Sequence, residues 1–465
     1  MALNREAPAE LRLHRGALVA ILAVVPLMAA LWGFAAQQRG APAWPADLVD
    51  TAPRGRILSS DGQVLADGPV HARRYPQGTL AGPLIGFSGA IQPDGRYGLE
   101  GLEHTLDARL QAGEHVSLTI DATLQAAAES RLAEAVAEFE ARAATAVVLE
   151  VGTGRVLAAA TYPTYDPNAW RGASADAMRN RPLVQLYEPG SVMKPFVVAS
   201  LLESGRLRPD ELIDAPMALR VGRKTFRDVA QHDPVLSVAD VLRYSSNSGT
   251  IHLAARFESP EMHAWLAAFG FGQELAMRSA FTARGTLTDP ATWVPQDHAT
   301  IAIGQGIATT NLQLAAAYAV IAQDGLYVSP RLVEDEWTPE PYRVLSEGTA
   351  ATVRDMLRHT VATSSLERLA GPGVPTAGKT GTADVYDAAV GGYVAGRYAV
   401  SFAGMFPADR PEIVMVVTVH EPTTVTSSTL VAAPLFRAIG VEVVAHWAVA
   451  PDAPAWARAA VSWTV

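Results

Sequence analysis

Apolar positions first form a long uncharged stretch and then patterns of helical or alternating spacing. Residues 17–36 carry no charge over twenty positions, a helix length of about 30 Å, the thickness of a bilayer's hydrocarbon core. Three arginines precede the stretch and only Arg39 follows it closely, which predicts a cytoplasmic amino terminus. We therefore predict a cytoplasmic tail (1–16), a single transmembrane helix (17–36) and a remainder outside the cytoplasm, in the cell (inner) membrane. A cleaved signal peptide is the alternative.

Residues 37–115 predict a linker followed by a small non-catalytic module. Residues 41–53 are rich in proline and alanine, as linkers often are. Asp61-Gly62 lies between the short apolar runs 56–58 and 63–65, a pattern typical of a hairpin. Residues 73–110 are glycine-rich with short apolar pieces.

Residues 116–450 predict an α+β domain, an antiparallel sheet flanked by helices, followed by a carboxyl-terminal tail (451–465). Its expected strands lie near both ends, with a mostly helical middle third between them, so distant segments must assemble the sheet. The expected strands are 146–151, 155–158, 398–405 and 413–419. The expected helices are 124–139, 238–244, 312–322 and 430–447.

Composition narrows the function. The chain has 465 residues, a formal net charge of -10 and no cysteine, which excludes disulfides and cysteine-bound metals. The sequence shows no stripe of basic residues, which disfavours nucleic acid as a partner. Lys194, Lys224 and Lys379 are the only lysines, whereas arginine supplies the other basic positions. A retained lysine can mark an amine that must lose its proton, which arginine cannot do, although chance retention is the alternative for each.

The first chemical motif is Ser191-Val192-Met193-Lys194-Pro195. Pro195 is tolerated only near a helix start, and positions i and i+3 share a helix face, so Lys194 should lie near Ser191. Serine needs a base to become a nucleophile, and a buried lysine of lowered pKa can serve. The helix amino terminus also offers N–H groups to an oxyanion. Alone, this spacing is a weak signal.

Two further motifs strengthen the functional interpretation of the first. Ser245-Ser246-Asn247 can relay protons and bind an amide, or can simply be a polar helix end. Lys379-Thr380-Gly381-Thr382 predicts a strand that binds an extended peptide, or an ordinary surface strand. Two of the three lysines fall in these motifs within one predicted domain, which favours the functional interpretation.

The ordered motifs resemble those of class B penicillin-binding proteins, the division or elongation type. The resemblance covers nearly the whole chain from residue 54. Besides the three motifs, it rests on Arg54-Gly55-Arg56-Ile57, Arg74-Tyr75-Pro76, Gly98-Leu99-Glu100, Leu118-Thr119-Ile120-Asp121, Tyr162-Pro163-Thr164-Tyr165-Asp166-Pro167-Asn168, Gly304-Gln305-Gly306-Ile307, Ser401-Phe402-Ala403-Gly404 and Ala432-Ala433-Pro434-Leu435-Phe436.

The resemblance implies a peptidoglycan D,D-transpeptidase of the penicillin-binding fold, with no cofactor or metal. Ser191 would be acylated by a D-Ala-D-Ala stem peptide or a β-lactam, and Lys194 would be the general base. Ser245 would move protons and Asn247 would hold the peptide amide. The terminal carboxylate would bind at Lys379, Thr380 and Thr382, with Gly381 allowing close approach. A membrane glycosyltransferase would be the partner, although only a short segment stands where many class B members carry a large insert.

Other functions stay open at this point. A D,D-carboxypeptidase or a serine β-lactamase would use the same nucleophile with water as the acceptor. A non-catalytic β-lactam sensor or division scaffold could keep the fold without turnover. The presence of both Ser191 and Lys194 disfavours the scaffold, and the chain's length and apolar segment disfavour a simple β-lactamase.

Overall fold

A five-stranded antiparallel sheet organises the fold of the computed structural model, which describes residues 54–387 and 390–448. The predicted tail 1–16, anchor 17–36, linker before residue 54 and tail 451–465 lie outside the described residues. The strands are β1 (Ile57–Leu58), β2 (Val64–Ala66), β3 (Val116–Ser117), β4 (Ala143–Glu150), β5 (Val156–Tyr162), β6 (Leu212–Asp214), β7 (Ala218–Val221), β8 (Lys224–Arg227), β9 (Val235–Ser237), β10 (Leu326–Tyr327), β11 (Tyr342–Arg343), β12 (Ala377–Asp387), β13 (Gly392–Phe406) and β14 (Ile413–His420).

Helices precede, follow and separate these strands. They are α1 (Gly82–Ile85), α2 (Gly101–Thr105), α3 (Asp107–Gln111), α4 (Ala122–Glu138), α5 (Ala175–Met178), α6 (Arg181–Val184), α7 (Lys194–Glu203), α8 (Val238–Arg243), α9 (Asn247–Ala254), α10 (Ser259–Ala268), α11 (Pro295–Ala302), α12 (Asn311–Ala322), α13 (Glu347–Ala362), α14 (Leu366–Ala370) and α15 (Ser428–Ala448). Short 3-10 turns occupy Val70–Ala72, Pro167–Gly172, Gly190–Met193 and Pro290–Thr292.

The central sheet joins segments from near the two ends of the domain predicted over residues 116–450, in the order β12-β13-β14-β4-β5. Each neighbouring pair is antiparallel, with Val416 of β14 opposite both Ala403 of β13 and Val147 of β4. The strand β12 lies at the edge. The α+β prediction with a sheet assembled from distant segments is confirmed.

Helices cover both faces of this sheet because its side chains alternate between two apolar layers. Val147 and Val416 belong to one layer, which also holds Phe196 of α7 and Tyr318 of α12. Residues one position along, such as Val148, belong to the other layer, which is filled from α4 and α15. The first layer supports the segment that carries Ser191.

The helix α15 belongs to the core of the domain. Ser428–His446 is the single stretch of the described residues that is long and apolar enough to cross a membrane, and 56% of it is buried. Phe436 packs on Phe402 and Phe406 of the sheet, with ring centroids 4.6 and 6.0 Å apart. The apolar length of α15 is therefore explained by its packing on the sheet, and the helix that the sequence predicted over 430–447 is confirmed.

Residues 54–115, the N-terminal module, contain the predicted hairpin: β1 pairs antiparallel with β2. The strand β3 pairs parallel with β1, with Ile57 opposite Val116, so this small sheet extends across the predicted boundary at residue 116. Arg54 forms ion pairs of 2.7 Å with Glu103 and 2.8 Å with Asp107, and Arg73 pairs with Glu103 at 2.6 Å. Water reaches almost none of these side chains.

The middle third departs in part from the mostly helical prediction. The helices α8 and α12 are present, but β6 pairs with β9 and β7 with β8 in two small sheets. These strands have three or four residues each, and much of each strand is exposed. Strands so short leave too few alternating positions to be distinguished from loops.

Candidate active site

Ser191 lies on a 3-10 turn that leads directly into α7. The turn spans Gly190–Met193, and Pro195 occupies the first turn of α7, where its missing N–H group costs no helical hydrogen bond. Val192 and Met193 are fully buried, whereas Ser191 is partly exposed. The turn therefore fixes the backbone of Ser191 while the residue stays partly exposed to solvent.

Glycines allow the backbone to close tightly around Ser191. Gly190 has a φ of +63° and its N–H group donates to the carbonyl oxygen of Gly304 over 2.8 Å. A β-carbon at Gly190 would lie 2.6 Å from the carbonyl oxygen of Thr382, and one at Gly304 would lie 2.0 Å from that of Gly190. The turn carrying Ser191 is thus packed between β12 and the Gly304 loop, and only glycine fits these contacts.

Lys194 is fully buried and points its amine at the Ser245-Ser246-Asn247 motif. Its Nζ lies 2.7 Å from Asn247 Oδ1 and 3.3 Å from Ser245 Oγ, and it also donates to the Ser245 carbonyl oxygen. Within the described residues, none of its hydrogen bonds goes to Ser191. The structure therefore joins the first two predicted motifs through Lys194.

Lys379 of β12 reaches the same serine from the other side. Its Nζ lies 2.9 Å from Ser245 Oγ and 3.1 Å from the Thr380 carbonyl oxygen. One hydroxyl group therefore lies between two buried amines that come from distant parts of the chain. Lys379 thus joins the third motif to the other two.

Burial shifts the pKa of both lysines downward. Desolvation lowers the pKa of Lys194 well below its ordinary value, the nearby charge of Lys379 lowers it further, and Asp228 opposes the shift. Desolvation lowers the pKa of Lys379 to about 7. Two adjacent buried ammonium groups are unfavourable, so the site favours a state in which Lys194 has lost its proton.

A neutral Lys194 fits its surroundings. A neutral amine has two N–H donors and one lone pair, and the carbonyl oxygens of Asn247 and Ser245 can accept the two donors. The lone pair then remains for the proton of a hydroxyl group. The site can therefore activate a serine by general base catalysis.

Ser245 adopts a backbone conformation that the surroundings must hold. Its φ is +58°, in the left-handed region, which costs a non-glycine residue on the order of 1–2 kcal/mol. It follows α8, whose last turn is capped at Tyr244, as predicted. This conformation presents both the carbonyl and the hydroxyl oxygens of Ser245 to Lys194.

The strand β12 carries the remaining predicted residues. A β-carbon at Gly381 would lie 2.6 Å from the Pro189 carbonyl oxygen, so this glycine permits close contact with the Ser191 turn. Thr380 is partly exposed and Thr382 exposed, and Thr382 Oγ1 donates to Ser428 Oγ over 3.1 Å. Because β12 is an edge strand, groups on its free side can pair with an extended ligand.

Sequence reasoning missed a buried carboxylate beneath the Ser245-Ser246-Asn247 motif. Asp228, 19 residues before Asn247, accepts hydrogen bonds from the N–H groups of Asn247 and Ser248 and from the hydroxyl groups of Ser246 and Ser248. His232 contacts the same carboxylate. A lone aspartate in a polar loop is not a specific signal, so the sequence could not have identified it.

Known proteins are similar to this chain over most of its length. A family model for the penicillin binding protein transpeptidase domain matches residues 144–440. The chain is 33% identical to the penicillin-binding protein PbpB of Mycolicibacterium smegmatis, over 79% of this chain and 64% of that protein, so it spans under two thirds of that relative. It is 31% identical to the peptidoglycan D,D-transpeptidase FtsI of Escherichia coli, over 87% of this chain and 75% of that protein. The structure of penicillin binding protein 3 from Mycobacterium tuberculosis complexed with ampicillin superposes with a TM-score of 0.77 at 31% identity, covering 87% of this chain and 98% of that one.

Proposed function

Because this chain belongs to the penicillin-binding protein transpeptidase family, we propose that it is a peptidoglycan D,D-transpeptidase that penicillin also acylates. The carrying observation is the convergence of Lys194 and Lys379 on Ser245 next to the turn of Ser191. The relative named a peptidoglycan D,D-transpeptidase and the ampicillin complex of another support this function.

In the first half-reaction, Ser191 attacks the carbonyl carbon of the penultimate D-Ala of a stem peptide. Neutral Lys194 takes the Ser191 proton as the Oγ–C bond forms. The C–N bond to the terminal D-Ala then breaks, and the leaving amine receives a proton through Ser245, which lies within 3.3 Å of Lys194. The product is an ester of Ser191 and free D-Ala.

In the second half-reaction, an amine from a neighbouring stem peptide attacks this ester. The new C–N bond forms, the C–O bond to Ser191 breaks, and the Ser191 oxygen regains a proton as the amine loses one. A β-lactam forms the same ester, but its leaving amine stays tethered to the acyl group and blocks the acceptor. Acylation by penicillin therefore reports the first half-reaction alone.

Substrate binding falls to β12 and Asn247 in this proposal. Lys379, Thr380 and Thr382 bind the terminal carboxylate, and Asn247 holds the peptide amide. Gly381 lets β12 lie against the Ser191 turn, so a peptide along the free edge of β12 lies beside Ser191. The N–H groups of Ser191 and Thr382 stabilise the oxyanion, as expected for a turn at a helix amino terminus beside an edge strand.

The proposal includes the membrane setting predicted from the sequence. Residues 17–36 anchor the chain in the cell membrane, residues 1–16 stay in the cytoplasm, and the catalytic domain works outside. A membrane glycosyltransferase supplies the glycan strands whose stem peptides are cross-linked. The uncharged stretch and the arginines before it support this arrangement.

The test is covalent labelling of the full chain in detergent by a fluorescent penicillin. We expect a labelled band that withstands denaturation and that disappears in Ser191→Ala. A folded wild-type chain without label at high drug concentration would overturn the proposal. Adding a stem-peptide donor with and without an acceptor amine then separates transpeptidation from hydrolysis, and product from water alone would favour a carboxypeptidase.

A further inference from the structure

Asp228, directly after β8, caps the amino terminus of α9. Its Oδ1 accepts from the N–H groups of Asn247, over 2.5 Å, and of Ser248, over 3.1 Å. Its Oδ2 accepts from the hydroxyl groups of Ser246, over 2.5 Å, and of Ser248, over 3.0 Å. An anion here also meets the positive end of the helix dipole.

His232 completes the surroundings of this carboxylate. Its Nε2 lies 2.9 Å from Asp228 Oδ2, and its Nδ1 lies 2.7 Å from the Asp233 carbonyl oxygen. Neither the Asp228 nor the His232 side chain is exposed to solvent. The imidazole ring is therefore held at both nitrogens and fixes one edge of the carboxylate.

These contacts surround the residues that hold Lys194. The backbone N–H group of Asn247 donates to Asp228, and its Oδ1 accepts from the Lys194 amine. Its Nδ2 donates to the Arg227 carbonyl oxygen over 2.8 Å. Ser245 directly precedes Ser246, whose hydroxyl group donates a hydrogen bond to Asp228. We propose that Asp228 and His232 form a buried positioning pair that holds the Ser245–Asn247 turn and thereby fixes the Lys194 amine, which that turn binds, beside the turn that carries Ser191; this inference rests on the proposed function.

The pair also acts through charge. Burial opposes ionisation of Asp228, but hydrogen bonds from Ser246, His232, Ser248 and Asn247 outweigh it and hold the pKa of Asp228 below its ordinary value. Lys379 on β12 lowers the pKa of Lys194, whereas Asp228 raises it. Neutralising Asp228 should therefore lower the pKa of Lys194 further and move the rising limb of the acylation rate to lower pH.

The test compares Asp228→Asn with wild type in acylation of the full chain by a fluorescent penicillin. We expect the rate constant of the covalent step to fall about tenfold or more, with the non-covalent dissociation constant within about twofold. The rising pH limb should move to lower pH. His232→Phe, which fills space without ring nitrogens, should slow the covalent step in the same way.

The matched control is Asp210→Asn, an exposed aspartate whose carboxylate pairs with exposed Arg208 and which should leave rates and pH profile unchanged. An Asp228→Asn chain that melts like wild type, is acylated within about twofold and keeps its pH profile overturns the inference. If that variant does not fold, Ser246→Ala and Ser248→Ala each remove one donor and should slow acylation about two- to fivefold. Wild-type rates in both would equally overturn it, whereas an unlabelled wild-type chain would overturn the proposed function instead.

Discussion

The buried arginines of the N-terminal module and the buried lysines of the active site lie in similarly water-free surroundings but have different partners. Arg54 and Arg73 form ion pairs with Glu103, and Arg54 also with Asp107, all at 2.6–2.8 Å. Lys194 and Lys379 instead donate to neutral hydroxyl, amide and carbonyl oxygens, with no carboxylate in contact in the described residues.

The difference separates a structural role from a chemical one. Two carboxylates beside two guanidinium groups leave the module's interior neutral, and each charge remains where it is. In the active site no carboxylate contacts the two amines within the described residues, so burial favours the neutral form of an amine, which has lost a proton. Arginine suits the first region and lysine the second, because only lysine can lose a proton in this way.

The largest effect should come from Lys194→Arg, which removes the ability of residue 194 to lose a proton. The variant keeps a cation but cannot act as a base, so acylation by penicillin should fall about 10²- to 10⁴-fold. Lys224→Arg is the matched control, since Lys224 is exposed on β8 with its amine 4.9 Å from the Phe226 ring. A folded Lys194→Arg chain that is labelled at the wild-type rate would refute the distinction.

Glu103→Gln, which breaks the buried ion pairs of the N-terminal module, should lower the free energy of unfolding. Glu103 accepts from both Arg54 and Arg73, and its side chain is fully buried. Loss of its charge leaves buried arginine charge without compensation, so the free energy of unfolding should fall by about 3–5 kcal/mol. Urea denaturation followed by circular dichroism measures it.

The control for this prediction lies in the same module. Arg56 and Asp67 pair at 3.0 Å, but their side chains are 48% and 39% exposed. Asp67→Asn should therefore change the unfolding free energy by less than about 1 kcal/mol. Equal losses from Glu103→Gln and Asp67→Asn would show that burial does not distinguish the two pairs.

The smallest effect should appear in the pH dependence of acylation. Lys379 has a pKa lowered to about 7 by burial, and its cation is lost as the pH rises through that value. The second-order rate constant for a carboxylate-bearing penicillin should then decline about three- to tenfold above neutral pH, as charge-assisted hydrogen bonds become neutral ones. A rate that keeps rising to pH 9 would contradict a cationic role for Lys379.

The sequence predicted those parts of the site whose residues are neighbours in the chain. Pro195 predicted the helix start near Ser191, and the strand at Lys379 and the helix end at Tyr244 were also predicted. The antiparallel sheet followed from apolar runs long enough to show their period. The catalytic and binding roles of Ser191, Lys194, Ser245, Asn247 and the β12 residues stay predictions.

The individual side-chain contacts between distant segments of the site were not predicted from the residues. No local pattern indicates that Lys194 and Lys379 share Ser245, because each belongs to a different element. Asp228 was missed because a carboxylate becomes informative only when its burial and its donors are known. The short strands β6 to β9 were missed because their residues are largely exposed and carry no period.

The pairing of β14 with β4 also constrains how the chain folds. Ile413 lies opposite Glu150, and these two strands form the middle of the central sheet. This pairing closes a very long loop, so the chain loses conformational entropy before the strands form their hydrogen bonds. Pairing of such distant segments slows folding. The β4 edge that receives β14 therefore stays unpaired until His420 has been synthesised, and an unpaired apolar edge of this kind favours aggregation.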